Sequence, residues 1–484
     1  MEGGISRRTL VKGAAAGTAV AALPAAAVAA AERGKEKKVD VVVVGAGMAG
    51  LYAAELLTKA GKKVVILEGS HRVGGRVLNL QVGPDYNDVA EAGAQWINSE
   101  ERIVQKLMKR FKLKTYQNYT KGKSSLIIDG QVSRFDGTTI PQLPGDGTKE
   151  LVKAFVALTK MAKEVPLEAP WKAPLAEEWD SQTCQTWIEA NISNPVARDF
   201  AGIAMGGPVS VEARDVSLLH YLFVGQSCGG PLNMVTIGQG VLSDRIVGGT
   251  GRLVEGLAHP LRHITELKTP VTLIERGKRV RVTTPKGKWV CDDVIVAMSP
   301  TATQQIQFDP IMPVKRNQSV QRTGNGSCIK FFPVYDKPFW RDKGLNGIIQ
   351  SNSSAFSGVF DNSPKDGKPG VLFCLVENVH ARKLSTMSKS EQRKNICDSL
   401  ALALGPEARH PKKFMLHNWC TDPWLRGGAA SFFPPGLLTE YRYLFGKAVG
   451  RIHFAGTETG SFFWGNMESA LESGERTANE VLSG

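Results

Sequence analysis

The chain has 484 residues, which is enough for two or three domains. With 42% hydrophobic and 22% charged residues it has the composition of a globular protein, which excludes a disordered, collagen-like or coiled-coil chain. The net charge of +14 favours anionic ligands, but the sequence has no dense lysine and arginine run, so we expect no nucleic-acid partner. The seven cysteines lack paired or metal-binding spacing, and we expect neither a disulfide framework nor a metal site.

The first 31 residues have the organisation of a twin-arginine export signal. Arg7 and Arg8 precede a weakly hydrophobic, alanine-rich stretch that ends in small residues at 29–31. Paired arginines, a mild apolar run and an A-x-A-like end are typical of such signals. A transmembrane anchor is the alternative, but the run is short and alanine contributes little transfer energy. The sequence therefore predicts a removable signal over 1–31, a periplasmic or secreted mature protein and no stable membrane anchor.

A strand, a glycine-rich turn, a helix and a second strand are predicted next. Residues 39–44 are mostly valine and predict a buried parallel strand, while helical composition covers 51–59 and a second strand is predicted over 62–68. The turn consists of Gly45, Ala46, Gly47, Met48, Ala49 and Gly50. A GxGxxG turn inside a complete βαβ unit predicts a dinucleotide site, with all six turn residues at the ligand.

Each glycine of this turn has its own role. Gly45 permits the tight turn, Gly47 lets the backbone approach a pyrophosphate, and Gly50 lets the helix pack closely on the strand. The helix N-terminus offers free N–H groups and a partial positive charge to the phosphates. Glu68 ends the second strand, where its carboxylate can accept the ribose hydroxyls.

The next stretch contains Arg72, the paired glycines Gly74 and Gly75, and Arg76. Paired glycines let the backbone close on a phosphate, and an arginine can neutralise an anionic part of a cofactor. In this stretch the chain resembles the FAD-dependent amine oxidases, for which this follow-on motif is typical. The resemblance implies FAD rather than NAD, with Gly75 and Arg76 among the residues that bind it.

Similarity to the monoamine oxidase branch of that family extends from about residue 38 to the last helix. Its ordered motifs are 169–180, 228–230, 248–251, 419–420, 433–436 and 454–459. The resemblance implies further FAD contacts by Gly93, Ala94, Gln95 and Trp96 beside the ring, Val271 opening a strand near the adenine, Glu458 at the ribityl–phosphate portion and Met467 at the pyrimidine end. From the residues themselves, 452–457 predicts a strand and 467–481 a helix, a second strand–turn–helix crossing that suits a flavin site.

Lys330 interrupts an apolar strand, with Ile329 before it and Phe331 after it. From this pattern alone, a lysine at the solvent edge of the sheet is the plainer interpretation. By resemblance, Lys330 is the family lysine that contacts flavin N5 through a water molecule. It is therefore our candidate catalytic residue.

The chain departs from the family at the tethering and caging positions. Monoamine oxidases attach FAD to a cysteine after a late Gly-Gly, where this chain has Ala429, which has no nucleophile. We therefore expect non-covalent FAD. The two tyrosines that flank the substrate amine in the family fall at Ala430 and Asn466 here, so the aromatic cage is missing in its usual form.

These departures concern the substrate pocket. Its predicted lining is Asn466, Ala430, Val235, Leu242 and Phe463. Asparagine at position 466 resembles the bacterial nicotine-degrading oxidases. A carboxamide in place of a ring widens the pocket and adds a donor and an acceptor, which favours a bulkier, ring-bearing amine.

We expect an α/β protein in which a Rossmann-like FAD-binding domain is interleaved with a mixed-sheet α+β substrate domain, as in monoamine oxidases. The FAD-binding domain is predicted over 38–115, 247–319 and 421–484. The substrate domain is predicted over 116–246 and 320–420.

The resemblance implies an FAD-dependent amine oxidase that converts an amine to an imine, then to an aldehyde or ketone, while O2 becomes H2O2. A flavin dehydrogenase or desaturase of a non-amine or alkaloid-like substrate, using an electron carrier, stays open, as does a catalytically idle FAD-binding protein. An amino-acid oxidase is a close variant that needs an arginine such as Arg426 for the substrate carboxylate. The expected partners are a small-molecule amine and O2 or an electron carrier, and a homodimer stays open.

Overall fold

A computed structural model describes residues 36–85, 87–138, 140–238 and 240–484. The export signal predicted over 1–31 lies outside these residues. Within them, no helix combines the length and the apolar character needed to cross a membrane.

A five-stranded parallel sheet forms the centre of the dinucleotide-binding region. In spatial order its strands are Thr265–Glu266, Val64–Leu67, Val41–Val44, Asp293–Ala297 and Ile452–Ala455. The all-valine strand Val41–Val44 is buried on both faces, as expected for a parallel sheet with two covered sides. Val41 and Val43 face the helices Met48–Lys59 and Met467–Ser483, which pack against each other.

The opposite face of the parallel sheet is covered by a second five-stranded sheet. Its strands, in order, are Lys37–Lys38, Gly287–Cys291, Val280–Thr284, Leu273–Glu275 and Gln307–Asp309. Val42 and Val44 pack here against Val282 and Trp289. Because successive side chains of a strand point to opposite faces, two of its valines pack against the helices and two against the second sheet. Val271 lies two residues before the strand Leu273–Glu275 and does not open it, which corrects the prediction.

A seven-stranded, mostly antiparallel sheet organises the other half of the molecule. Its strands, in order, are Lys413–Asn418, Cys328–Tyr335, Gly370–Glu377, Gly358–Asp361, Leu345–Ser351, Lys123–Ile128 and Gln131–Phe135. Helices Asn378–Ser385 and Lys389–Leu404 cover one face, where Ile329 and Phe331 pack. The side chains on the alternate positions of the same strand, Lys330 among them, face the opposite way.

A bundle of helices closes the molecule beside this sheet. Its main members, which bury one continuous apolar cluster, are Gly147–Ala162, Ala176–Asp180, Cys184–Asn191, Pro195–Gly206, Leu218–Ser227, Pro231–Val235 and Leu437–Phe445. The remaining α-helices are Arg102–Arg110, Gly251–Ala258, Pro300–Thr303, Val314–Arg322 and Phe339–Asp342. Short 3-10 helices are Pro170–Lys172, Gly207–Val209, His259–Ile264, Pro406–Arg409, Trp419–Thr421 and Thr457–Thr459.

Three small sheets connect the two large regions. Their strands are Trp96–Ile97 with Asp244–Ile246 and Thr115–Gln117, Gly324–Gly326 with Gly428–Phe432, and Asn79–Gln81 with Val89–Glu91. The strands of the parallel sheet fall inside the segments predicted for the FAD-binding domain, and those of the seven-stranded sheet inside the predicted substrate segments. The exact domain bounds stay a prediction.

Candidate active site

A cavity of about 550 Å³ lies between the parallel sheet, the seven-stranded sheet and the helical bundle. One end is formed at the carboxyl ends of parallel strands, where ligands of open α/β sheets bind. The predicted cofactor residues that line it are Gly45, Gly47, Met48, Ala49, Glu68, Gly75, Arg76, Gly93, Ala94, Gln95, Trp96, Val271 and Met467. Residues far apart in the chain therefore meet around one cavity.

The glycine-rich turn fits a pyrophosphate. A Cβ atom built on Gly47 meets no protein atom within 4 Å, so this position opens into the cavity. Gly45 has φ of +100°, and a Cβ there would lie 2.7 Å from the carbonyl oxygen of Ala297. The helix Met48–Lys59 begins directly after Gly47, which directs its free N–H groups at the same space.

Ala46 and Gly50 support the turn and are not among the residues that line the cavity, so their contact with the cofactor stays a prediction. The Ala46 N–H donates to Glu68 Oε2 at 2.7 Å, so it points at the neighbouring strand. A Cβ built on Gly50 would lie 2.0 Å from the carbonyl oxygen of Gly45. Gly50 therefore has the packing role that the motif predicts, and the small residue is required by the turn itself.

Glu68 lines the cavity at the end of strand Val64–Leu67. Its two carboxylate oxygens accept hydrogen bonds from the backbone N–H groups of Ala46 and Ser70, each at 2.7 Å. Burial raises the pKa of Glu68, although both hydrogen bonds act to lower it. Each oxygen keeps an acceptor position, so the carboxylate is held ready for the hydroxyls of a ribose.

Arg76 and Glu458 form a bidentate ion pair, with Nη1–Oε1 at 2.6 Å and Nη2–Oε2 at 3.0 Å. Burial alone would raise the pKa of Glu458, but the charge and hydrogen bonds of Arg76 outweigh it and hold the pKa below its usual range. Arg76 lines the cavity and Glu458 lies directly behind it, so a contact of Glu458 with the cofactor stays a prediction. Glu458 orients the guanidinium group and accepts a hydrogen bond from the Ser431 N–H at 3.1 Å.

The other half of the cavity is an apolar chamber. Its main hydrophobic lining residues are Leu151, Phe155, Phe200, Ile203, Leu232, Met234, Val235, Ile237, Leu242, Ile348, Phe360, Phe373 and Leu375. Val235 and Leu242 lie where the sequence predicts them. Most of the other residues come from the helical bundle and the seven-stranded sheet and carry no motif, so sequence reasoning did not identify them.

Two predicted pocket residues lie behind the wall instead of in it. Ala430 is 3% exposed and packs in the apolar cluster of the bundle, while Gly428 and Ala429 line the cavity on the same strand. Phe463 has a left-handed backbone, with φ of +47°, and its ring packs edge-to-face on Phe462. The next residue, Trp464, lines the cavity.

Asn466 lines the cavity immediately before helix Met467–Ser483. Its Nδ2 lies 3.8 Å from the sulfur of Cys228, which also lines the cavity. A Cβ built on Gly465 would lie 3.5 Å from the Cβ of Ala430, so the positions corresponding to the two cage tyrosines meet at one turn. The structure thus brings Asn466 to the substrate chamber with a weak protein partner for its amide.

Lys330 lies on the cavity face of the seven-stranded sheet. Its Nζ donates to the carbonyl oxygen of Gly93 at 2.7 Å and lies 4.4 Å from the centre of the Phe373 ring. Burial lowers the pKa of Lys330, since the charged ammonium group loses its hydration. The lysine is therefore half-buried in the cavity wall and does not lie at the solvent edge of the sheet.

Glu377, which sequence reasoning missed, lines the apolar chamber at the end of strand Gly370–Glu377. In the sequence, an acid that ends an apolar strand could have indicated this position. Which face of the sheet its side chain takes depends on how the strands pair, and the sequence does not show that.

Arg426 is exposed, donates to the carbonyl oxygen of Pro423 at 3.3 Å and does not line the cavity. It therefore does not supply the carboxylate-binding arginine of an amino-acid oxidase.

Comparisons with known proteins agree with this site. The model of the flavin containing amine oxidoreductase family matches residues 48–482. Flavin-containing amine oxidase A of Bos taurus is 33% identical over 449 residues, covering 92% of this chain and 85% of its own length. Flavin-containing amine oxidase B of Sus scrofa is 34% identical over 453 residues, covering 92% and 86%.

Solved structures with the same fold include two amine oxidases. Wild-type putrescine oxidase bound to putrescine superposes with a TM-score of 0.88 at 29% identity, covering 93% of this chain and 100% of that one. Cyclohexylamine oxidase from Brevibacterium oxydans IH-35A has a TM-score of 0.86 at 26% identity, covering 92% and 99%. The predicted fold and cofactor are thereby confirmed, and the chain belongs to the flavin-containing amine oxidoreductases, which use FAD to oxidise amines.

Proposed function

We propose that this protein binds FAD without a covalent link and oxidises an amine with a sizeable apolar body, with O2 as the electron acceptor. The observation that carries the proposal is one continuous cavity. It joins the glycine-rich turn at Gly47 to an apolar chamber, with Lys330 in the wall of both. A dinucleotide and a small apolar substrate can meet inside it.

Some residues of the cavity would bind the cofactor, and others exclude water from the substrate. When bound, FAD would accept the two electrons that leave the C–H bond beside the amine nitrogen. The turn at Gly47 would hold its pyrophosphate, the Glu68 carboxylate would hold a ribose, and the Arg76 guanidinium would face an anionic portion. The apolar chamber disfavours charge on the reacting nitrogen, so the amine reacts in its neutral form. Lys330 orients a water molecule or a proton at the reacting edge of the cofactor.

Non-covalent binding is supported by the chemistry of the lining. Ala429 lines the cavity at the tethering position and has no nucleophilic atom. Two cysteines, Cys228 and Cys328, line the described cavity, and burial raises the pKa of each to about 12. Both stay protonated at neutral pH, and a thiol is a poor nucleophile compared with a thiolate.

The purified protein should be yellow and should release its flavin into the supernatant when it is precipitated with acid. Absorbance and chromatography of the two fractions measure this directly. Flavin that stays on the denatured chain contradicts the non-covalent assignment. Amine-dependent release of H2O2 under air supports O2 as acceptor, whereas flavin that amines reduce but O2 reoxidises only slowly favours a dehydrogenase with an electron carrier.

We also propose export by the twin-arginine route. The support is the paired Arg7 and Arg8 before a mild apolar stretch. That route carries folded proteins, which suits an enzyme that acquires its cofactor before it crosses the membrane.

A further inference from the structure

The apolar chamber contains one acid whose role the reaction leaves unexplained. Of the acidic and basic residues that line the described cavity, Glu68, Arg72, Arg76 and Asp422 belong to the dinucleotide end. Lys330 and Glu377 belong to the substrate end. Glu377 is only 5% exposed, and Pro208, Phe373 and Leu375 line the same chamber. A carboxylate in such a place is costly unless something binds it.

Two serine hydroxyl groups hold this carboxyl group in place. Ser210 Oγ donates to Oε1 at 2.7 Å and Ser357 Oγ donates to Oε2 at 3.1 Å. Among the described residues these two hydroxyls are the hydrogen-bond partners of its side chain, and no lysine, arginine or histidine forms an ion pair with it. A carboxylate has about four acceptor positions, so roughly two stay available to a ligand.

Lys330 is near Glu377 but is directed elsewhere. Cys328 pairs with Glu377 and Lys330 with Leu375 across two antiparallel strands, so Lys330 and Glu377 are diagonal neighbours on the cavity face. The Lys330 ammonium group donates to the carbonyl oxygen of Gly93 and does not bridge to the acid. Burial raises the pKa of Glu377 to about 7, although the hydrogen bonds from Ser210 and Ser357 and the nearby charge of Lys330 act to lower it.

We propose that Glu377 binds a second, non-reacting cationic nitrogen of the substrate, so that the substrate class is diamines or amines with a second basic nitrogen. This inference rests on the proposed amine oxidation. A carboxylate beside the reacting nitrogen would favour its protonated form, which has no lone pair to assist loss of hydride. Beside a second nitrogen, the same carboxylate supplies a charge-assisted hydrogen bond and fixes the orientation of the substrate.

Matched substrate pairs test this directly. The pairs are 1,4-diaminobutane to 1,8-diaminooctane against the 1-aminoalkanes of equal length, and 4-(aminomethyl)piperidine against cyclohexylmethylamine. Each pair differs only in the second nitrogen. Anaerobic flavin reduction of the holoenzyme gives the Kd and the limiting rate for each amine. The wild type should prefer the second-nitrogen member in at least one pair by about tenfold or more in the ratio of rate to Kd.

Glu377→Gln keeps the shape and a hydrogen bond to the serines but removes the charge. We expect it to lower that preference about tenfold or more, chiefly through a higher Kd. Because the readout is a ratio within one preparation, partial loss of folded protein does not affect it. Glu55→Gln is the control, since Glu55 is a buried acid on helix Met48–Lys59 outside the cavity lining, and it should leave the preference unchanged.

The outcomes separate the two proposals. A wild-type flavin that reacts with amines but shows no preference in any pair, or a preference that Glu377→Gln leaves intact, overturns the role of Glu377 alone. A wild-type flavin that none of these amines reduces, although other amines do, also overturns it. A flavin that no amine reduces overturns the proposed function and this inference with it.

Discussion

At the scale of single residues, Lys330 is held by a rigid support. Its Nζ donates to the carbonyl oxygens of Gly93 and Glu91, at 2.7 and 3.4 Å. Glu91 is itself fixed by Arg245 through an ion pair of 2.7 Å, in which both side chains are at most 1% exposed. A buried pair of this kind is strongly destabilising to break, so the carbonyl groups that position Lys330 are themselves held in place.

Replacing Lys330 with methionine should leave the fold and the bound FAD intact but slow both flavin half-reactions, chiefly reoxidation by O2. Methionine keeps the length and apolar bulk, while the positive charge and its donors disappear. Stopped-flow reoxidation should slow by about tenfold or more, the effect expected for a lost electrostatic group at a reacting centre. Lys413→Met is the matched control, because Lys413 donates to the carbonyl oxygen of Val82 from the same sheet without lining the cavity. Equal rates in both variants would make Lys330 a structural lysine.

Asn466 is predicted to determine which amines fit. Its amide has a sulfur atom at 3.8 Å as its recorded side-chain partner, so a substrate or a water can bind it. Asn466→Tyr restores one ring of the family cage and should shift preference toward simple primary arylalkylamines. The ratio of kcat/KM for these over bulkier ring-bearing amines should rise by about tenfold, equivalent to ~1.4 kcal/mol. If both kcat/KM values change together, the residue does not set specificity.

At the scale of elements, the turn between strand Val41–Val44 and helix Met48–Lys59 separates two glycine roles. Gly47 has an extended backbone, with φ of −77°, that any residue adopts, and its missing Cβ leaves space for the ligand. Gly50 lies inside the helix, where the missing Cβ lets the helix approach the carbonyl of Gly45. Gly47 therefore leaves room for the ligand, and Gly50 allows the close packing of the helix on the turn.

Two alanine substitutions should therefore fail in different ways. Gly47→Ala should keep the melting temperature of the apoprotein and weaken FAD binding by about tenfold or more, because the methyl group occupies the pyrophosphate space. Gly50→Ala should destabilise the apoprotein by about 1–3 kcal/mol or more, although alanine is the better helix former, because its Cβ overlaps a backbone carbonyl. Thermal unfolding and FAD titration measure the two effects. Equal loss of stability in both variants would contradict this division.

At the scale of the whole molecule, the site exists because two sheets from different parts of the chain face each other. The parallel sheet supplies the dinucleotide end through strands near residues 44, 67, 297 and 455. The seven-stranded sheet and the bundle supply the apolar chamber. Neither region encloses the cavity alone, so FAD binding is expected to stabilise both together.

The proposed twin-arginine export concerns the whole precursor. Replacing Arg7 and Arg8 together with lysines keeps the charge and removes the arginine pair that this pathway recognises. The precursor should then stay in the cytoplasm, which fractionation with immunodetection measures. Unchanged periplasmic yield would show that residues 1–31 act as an ordinary signal or as an anchor.

The local elements of the dinucleotide site could be predicted from the sequence because their signals are local. An all-valine strand, a GxGxxG turn and an acid at the next strand end specify backbone shapes within a few residues. The structure has strands Val41–Val44 and Val64–Leu67 at the predicted places, and helix Met48–Lys59 begins inside the turn. The family resemblance extended this to Lys330, Asn466, Val235 and Leu242, which all line the cavity.

The sequence by itself determined the family, the cofactor and the glycine-rich turn, since these depend on residue type and spacing. Only the tertiary structure decided which way individual side chains face. Ala430 and Phe463 lie behind the wall, Glu458 pairs with Arg76, and Glu377 lines the chamber. The physical reason is that these directions follow from strand pairing and turn geometry between distant segments, and a shift of one residue sends a side chain to the opposite face.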